Sequence, residues 1–513
     1  MPDHFAKLWH FPGGLQLDPH KRQSTQHPIQ RIPIPPRIAL PVKQHIGEAA
    51  DVSVREGDYV YKGQPIAHAQ NHVRTPVHAS TSGTVVRVCQ QPVPHPSGLT
   101  DLCVVIDTDG LERWFDGLLD PIKDYGMVNP ARLRARVHES GIVGLGGAAF
   151  PTAIKLQRPI ETLIINGVEC EPYISCDDML LRERSAEILE GVRILRHALE
   201  ARHCIIAIEG DMPLALEAMR QALGGEQANG IRLVTIPPKY PAGGERQLIK
   251  TVTGQEVPSD GLPIDIGMIC HNVGTANAIY HAVCLGKPLV SRIVTVTGGG
   301  IKQPKNIEAL IGTPMSHLIE ACGGYTDRFE RLIMGGPMMG FTLPSDRLPV
   351  IKATNCLLVA SQEEVGSPSA VMPCIHCGDC ARVCPAILLP QELYRFAQAK
   401  HFDKLQEYDL FDCIECGCCA YVCPSNLPLV QYYRFAKYEI IAREHDQASA
   451  ELARRRYEQR NQRLAHEKQE HAQRLAKKKA LLNKLHPDNN AEDSRKAAIR
   501  SAVERVKAKK ATH

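Results

Sequence analysis

Cys374-Ile375-His376-Cys377-Gly378-Asp379-Cys380-Ala381-Arg382-Val383-Cys384-Pro385 spells C-x2-C-x2-C-x3-C-P. Thirty-nine positions later Cys413-Ile414-Glu415-Cys416-Gly417-Cys418-Cys419-Ala420-Tyr421-Val422-Cys423-Pro424 spells it again. Three thiolates at i, i+3 and i+6, on a loop winding like a short helix, can grip three irons of one cubane. The fourth iron needs a sulfur from elsewhere, and in paired runs of this spacing the distant cysteine of each serves the other cluster. Cys374, Cys377, Cys380 and Cys423 are thus expected to hold one [4Fe–4S] cluster. Cys413, Cys416, Cys419 and Cys384 are expected to hold a second. Such a chain carries single electrons.

The competing chemistries fit worse. Zinc takes four tetrahedral ligands, usually from two separated C-x2-C pairs, and consecutive x2 spacings crowd one zinc. Disulfides need an oxidising compartment, and the amino terminus shows no secretory pattern. Cys418 lies off the ligand spacing and reads as a spectator. The nine cysteines from Cys89 to Cys356 read as small buried hydrophobes. Tyr394-Arg395-Phe396-Ala397 recurs as Tyr433-Arg434-Phe435-Ala436 at the same offset as the cysteines. Two helices related by a pseudo-twofold would cover two clusters, so the module resembles a helical ferredoxin type rather than the small β-rich one.

Working outward, 513 residues with 43% hydrophobic composition suffice for three or four domains. The net charge of +4 gives no reason to expect a nucleic-acid partner. No run of eighteen apolar residues exists, so no spanning helix is expected. Reduced cysteines without an export signal point to the cytoplasm or a membrane's cytoplasmic face. Residues 441–513 are rich in Lys, Arg, Glu and Gln, with a thin stripe of Leu452, Leu464, Leu475, Leu482 and Leu485. They read as a charged tail, helical or disordered.

Residues 1–35, rich in Pro, His and Gln, read as an irregular arm. Residues 36–110 alternate short β segments with Gly and Pro turns, notably Val54 to Ile66 and Val77 to Val85. They resemble the barrel-sandwich domain of biotinyl and lipoyl carriers. No lysine lies between Lys62 and Lys123, so no prosthetic arm can be attached. Residues 120–290 alternate apolar runs (Leu163-Ile164-Ile165, Cys204 to Ile208) with helical patterns, which argues α/β layering. Residues 291–345 suggest a β-grasp unit, and 365–440 hold the paired cysteine runs. The fold class is thus multidomain, mixing α/β and α+β parts.

Gly141-Ile142-Val143-Gly144-Leu145-Gly146-Gly147-Ala148-Ala149-Phe150-Pro151-Thr152 precedes a predicted helix holding Lys155. Glycines let backbone amides approach a phosphate, a helix amino terminus adds partial positive charge, and a lysine adds a full one. The same glycines are also compatible with tight packing alone. Asn166-Gly167-Val168-Glu169-Cys170-Glu171-Pro172 follows an apolar strand, where open α/β sheets bind ligands. Gly243-Gly244-Glu245 and His271-Asn272-Val273-Gly274-Thr275 are further polar turns.

These four segments, in this order, resemble the NADH- and FMN-binding flavoprotein subunit of respiratory complex I. With the sandwich domain before them and the β-grasp (SLBB-like) and double-cluster modules after, the architecture resembles the RnfC/RsxC family of the Rnf/Rsx ion-translocating electron transport complexes. The resemblance implies FMN and NAD(H) besides the two [4Fe–4S] clusters. Gly146, Gly147 and Lys155 would hold the FMN phosphate, and Asn166 and Asn272 the flavin or its ribityl chain. Glu169, Glu171 and Glu245 would line the nucleotide site, with Phe150 stacking on a nicotinamide or adenine ring. The complex I pattern has adjacent glutamates where this chain has Gly244-Glu245. The resemblance further implies an oxidoreductase and translocase subunit, peripheral on the cytoplasmic side of the inner membrane. It would work with other subunits to couple electron transfer between NAD(H) and a ferredoxin-type carrier to ion movement. A soluble flavin-dependent corrinoid reductase and a nucleotide-free relay adaptor are the alternatives.

Overall fold

Four sheets organise the first 436 residues of the computed structural model, which describes residues 7–69, 74–224, 227–228, 230–367, 370–485 and 489–510. Strands Arg37–Pro41, Thr100–Thr108, Gly83–Pro92 and Tyr59–Val60 make one antiparallel sheet. Asp51–Val52, Pro65–His68 and Val77–His78 make the small one facing it. Side-chain alternation turns Ile38, Leu40, Val60, Ile66, Val85 and Ile106 into the shared core. The turn of the central hairpin, at 70–73, lies outside the described residues. Lys62 packs over Trp114 and pairs with Glu112.

The α/β region carries the parallel order Ile231–Ile236, His203–Glu209, Thr162–Gly167, Met268–Asn272, with Gln227–Ala228 antiparallel at one edge. Its strands are apolar on both faces because helices cover a parallel sheet on both sides. Helix Cys176–Ala198 crosses helix Val273–Cys284 at Gly191, so closely that a Cβ there would stand 1.9 Å from the Ala276 carbonyl oxygen.

The β-grasp sheet runs Gln30–Arg31, Lys305–Leu310, Ser291–Thr297, Cys356–Ser361, Phe329–Met334, Phe341–Thr342. The span 291–345 expected from sequence stops short of an inner strand, Cys356–Ser361. That strand is six buried residues without alternation, which reads as a linker until its neighbours are known. The arm is also more ordered than its composition suggests. Phe11 enters the core beneath the parallel sheet, Gly14 donates to the Val383 carbonyl, and Leu15 bridges Tyr240. Lys21–Ser24 forms a 3-10 turn, and Gln30–Arg31 joins the β-grasp sheet.

Lys352 is fully buried where three domains meet. Its ammonium donates to Pro76 O at 3.0 Å in the sandwich and to Gly141 O at 2.7 Å at the start of the glycine loop. Burial lowers its pKa from 10.5 to about 7. Between those values the unfolded chain binds a proton that the folded one does not, so this group makes stability rise with pH across that window and removes it as pH falls through about 7. Lys352→Met should flatten that rise; calorimetric melting curves from about pH 7 to about pH 9 read it directly.

Residues from 437 onward form the second unit. Helix Leu429–Leu485 begins in the first unit and continues into it, followed by helix Asn489–Lys510. Leu452, Leu464, Leu475 and Leu482 are exposed, as on a solvated helix. No helix among the described residues is long and apolar enough to cross a membrane.

Candidate functional site

The second cysteine run and the last cysteine of the first line one cavity. Cys384, Cys413, Cys416, Cys418 and Cys419 line it, with Leu393, Val430 and Tyr433 closing it. The four of them at the ligand spacing, in an apolar shell, suit a cubane, which takes thiolates and is tuned by what surrounds them. Cys418 is buried beside them; its thiol hydrogen-bonds Cys416, which lowers the Cys416 pKa against the effect of burial. Cys374 and Cys377 are near enough to act electrostatically on Cys380, and Cys374 and Cys423 on Tyr394. Tyr394 meets Tyr432 edge-on at 4.9 Å, and the Tyr433 hydroxyl donates to Pro390 O at 2.7 Å, so the repeated helices pack together over the cysteines.

The glycine loop lies at the carboxyl ends of the parallel strands. Asn166 and Asn272 are register partners there. The expected helix holding Lys155 is a single turn, Thr152–Lys155, and Pro159 would bar any continuation past residue 157. The dipole comes instead from helix Val273–Cys284. Asn272 caps it by accepting from Gly274 N at 2.8 Å, and Leu145 N donates to Thr275 Oγ1 at 3.0 Å, seating the loop on that terminus. Gly147 sits at φ +108°, where a side chain would be strained. Gly146, Gly147 and Ala148 are exposed, and among the described residues none of their amides donates within the chain. Such amides fit a phosphate. Phe150 is half-buried, its carbonyl accepting from Gly144 N at 2.8 Å.

Lys155 donates to Glu245 at 2.7 Å and to Cys270 O at 3.1 Å, which brings those two expected residues together. Both asparagine side chains are engaged within the chain. Asn166 donates to Gly243 O at 2.9 Å, and Asn272 donates to Asp177 at 2.6 Å. Glu169 caps helix Cys176–Ala198, accepting from Asp177 N at 2.9 Å and Asp178 N at 3.2 Å. Burial pushes its pKa up to about 8, opposed by Lys21 at 4.0 Å.

Glu171 sits apart from these groups, at a joint. Its carboxylate accepts from Met338 N at 2.8 Å and Met339 N at 3.0 Å, binding the α/β region to a β-grasp turn. Met338 O in turn lies 2.9 Å from where a Cβ on Gly417 would be, inside the second cysteine run. Tyr240, buried in the same joint, donates to Cys416 O at 2.6 Å. Three residues on, Gly243 takes the Asn166 hydrogen bond. A few residues of backbone therefore separate the strand ends from the sulfur cavity.

Sequence reasoning missed Lys21, Asp177, Tyr240 and Arg292. Arg292, buried on a β-grasp strand, donates to Leu145 O at 3.1 Å and so fixes the glycine loop from another domain. Only Asp177, six residues past Glu171 and at a helix start, carried a local signal.

Family models match along the chain in the order the sheets appear. They are an RnfC barrel sandwich hybrid domain over 9–111, a Nuo51 FMN-binding domain over 137–281, an SLBB domain over 293–342 and a 4Fe-4S dicluster domain over 373–427. Three relatives are each named as the C component (RnfC) of an ion-translocating oxidoreductase complex. That of Pseudomonas aeruginosa is 49% identical over 91% of this chain and 60% of its own length. That of Vibrio cholerae serotype O1 is 46% identical over 99% and 65%. That of Salmonella arizonae is 45% identical over 98% and 73%. The chain spans less than two thirds of the first two relatives and nearly three quarters of the third. With 45–49% identity over 91–99% of its length, this chain belongs to the RnfC family of the ion-translocating oxidoreductase complex.

Proposed function

We propose that this chain exchanges electrons with NAD(H) at an FMN site and relays them singly to other subunits of a membrane-bound complex that moves ions. The observation carrying this reading is the joint just described. Tyr240 ties the sulfur cavity to the same turn that anchors Asn166 at the strand ends. FMN, when bound, converts hydride chemistry into single-electron chemistry, and the clusters carry those single electrons.

The chain's own groups have separable tasks. The amides of Gly146 and Gly147, on the amino terminus of helix Val273–Cys284, take the phosphate. Lys155 adds a charge there, held in place by Glu245. Asn272 and Asn166 shape the floor by fixing the helix cap and the Gly243 turn. Glu169 and Lys21 hold the start of helix Cys176–Ala198, and the half-buried ring of Phe150 borders the loop on the nucleotide side. Glu171 positions the β-grasp turn against the cysteine module. Cys374, Cys377, Cys380 and Cys423 form one ligand set, and Cys384, Cys413, Cys416 and Cys419 the other. Attachment is peripheral, on the cytoplasmic face of the inner membrane, with ion movement in the partners and a ferredoxin-type carrier at the far end of the path.

Anaerobically purified protein should contain FMN and about eight irons, as two cubanes require. NADH should bleach its cluster absorbance. Clusters present without flavin or response to NADH would leave a relay adaptor instead. Lys155→Met should weaken flavin binding by roughly tenfold or more, the usual worth of a hydrogen bond to a charged group, in a fluorescence titration of flavin-depleted protein. Unchanged affinity would remove Lys155 from the site.

A further inference from the structure

The two cysteine runs share spacing and backbone, and Gly378 and Gly417 adopt the same φ of +79°. Their surroundings differ. Ile414 packs in a buried cluster with Tyr240, Met338 and Leu15, whereas its counterpart Ile375 is 66% exposed. Cys416 is 7% exposed, whereas Cys377 is open to solvent. Gly417 has Met338 against it, whereas Gly378 has nothing within 4 Å. The second run is covered by the chain's own flavin-type region and β-grasp turn. The first presents the same face uncovered, flanked by Val371 and Met372, which are 58% and 56% exposed.

We propose that this face of the first run, Val371, Met372 and Ile375 around Cys377, is the docking surface for a partner protein of the complex that holds its own one-electron redox centre. The inference rests on the function proposed above and adds where electrons cross the chain's boundary. The covered run faces the nucleotide site, so the open run is the other terminus of the path. Single large apolar side chains on a surface are ordinary, but three within five residues beside an open cluster ligand form a patch that a partner covers. The charges beside it, Asp379 and Arg382, pair with each other. An anionic membrane would need a run of Lys and Arg here. A small, weakly charged, apolar contact suits a redox encounter.

The test uses the complex assembled with its other subunits. Neither Met372→Glu nor Ile375→Glu replaces a ligand, and both side chains are exposed. Both should keep wild-type iron content and cluster spectra, and NADH should reduce the clusters at the wild-type rate. Transfer onward to the other subunits should fall by about tenfold or more, the cost of a charge placed in a binding hot spot. A photo-crosslinking residue at position 375 should capture a partner with a redox centre, while one at exposed Leu214 should not. Onward transfer at the wild-type rate in both variants overturns the proposal, as does an adduct only with lipid or with a second copy of this chain. If the unsubstituted chain lacks clusters or ignores NADH, the functional reading itself fails. That outcome is visible before any variant is made.

Discussion

Cys416→Ala should remove about half the iron, about four of about eight atoms, and with it NADH-driven reduction of the cluster that remains. Cys377→Ala should remove the same amount of iron yet leave NADH-driven reduction of the surviving cluster at the wild-type rate. The two cysteines hold equivalent places in the repeat, so spacing alone predicts identical phenotypes. The asymmetry comes from position. Cys416 is buried and its carbonyl receives the Tyr240 hydroxyl, on the turn that reaches the strand ends, whereas Cys377 faces solvent. Losing the Cys416 cluster breaks the path at its first link; losing the Cys377 cluster removes only its end. Iron analysis with stopped-flow absorbance after mixing with NADH separates the two cases. Equal loss of NADH-driven reduction in both variants would refute the order of the path.

Gly191→Leu should be the most damaging single change away from the cysteines. At that crossing a Cβ would lie 1.9 Å from the Ala276 carbonyl oxygen and 2.6 Å from its carbon, both backbone atoms that cannot swing aside. Overfilling a packed interior typically costs about 1–3 kcal/mol, and a rigid helix–helix contact belongs at the upper end. The damage should also reach the cofactor. The displaced helix is Val273–Cys284, whose first turn holds Leu145 through Thr275 and carries the Asn272 cap. The variant should melt several degrees lower and retain less flavin at equal protein, with Gly191→Ala intermediate. Wild-type melting and full flavin content would show that the contact is softer than its geometry.

Chemistry was more legible in the sequence than placement. The cysteine spacing named the ligand type because cubane geometry leaves few alternatives. The strand Leu163-Ile164-Ile165 and the turn after it marked the sheet's functional end because parallel strands are apolar on both faces. Other features depended on distant partners. Glu171 resembled a nucleotide contact in its local string, and in the fold one of its carboxylate oxygens accepts from amides 167 and 168 residues away. Cys356–Ser361 looked like a linker because burial on both faces erases alternation. Lys155 promised a helix that proves to be one turn, while the dipole came from the helix after Asn272, noted only as a polar turn. The different exposure of the two cysteine runs could not be read from a repeat at all, since it resides in what covers them.

The arm has one more consequence, and it concerns time. Its contacts are made with Tyr240, Glu169 and Asn306, and finally with Val383. Synthesis runs from the amino end, and domains fold as they emerge. This early segment therefore completes its contacts late, since residue 383 must be made before Gly14 can bond to it. A polypeptide truncated before the cysteine runs would keep the contacts with Glu169, Tyr240 and Asn306 but lack the closing bond from Gly14 to Val383.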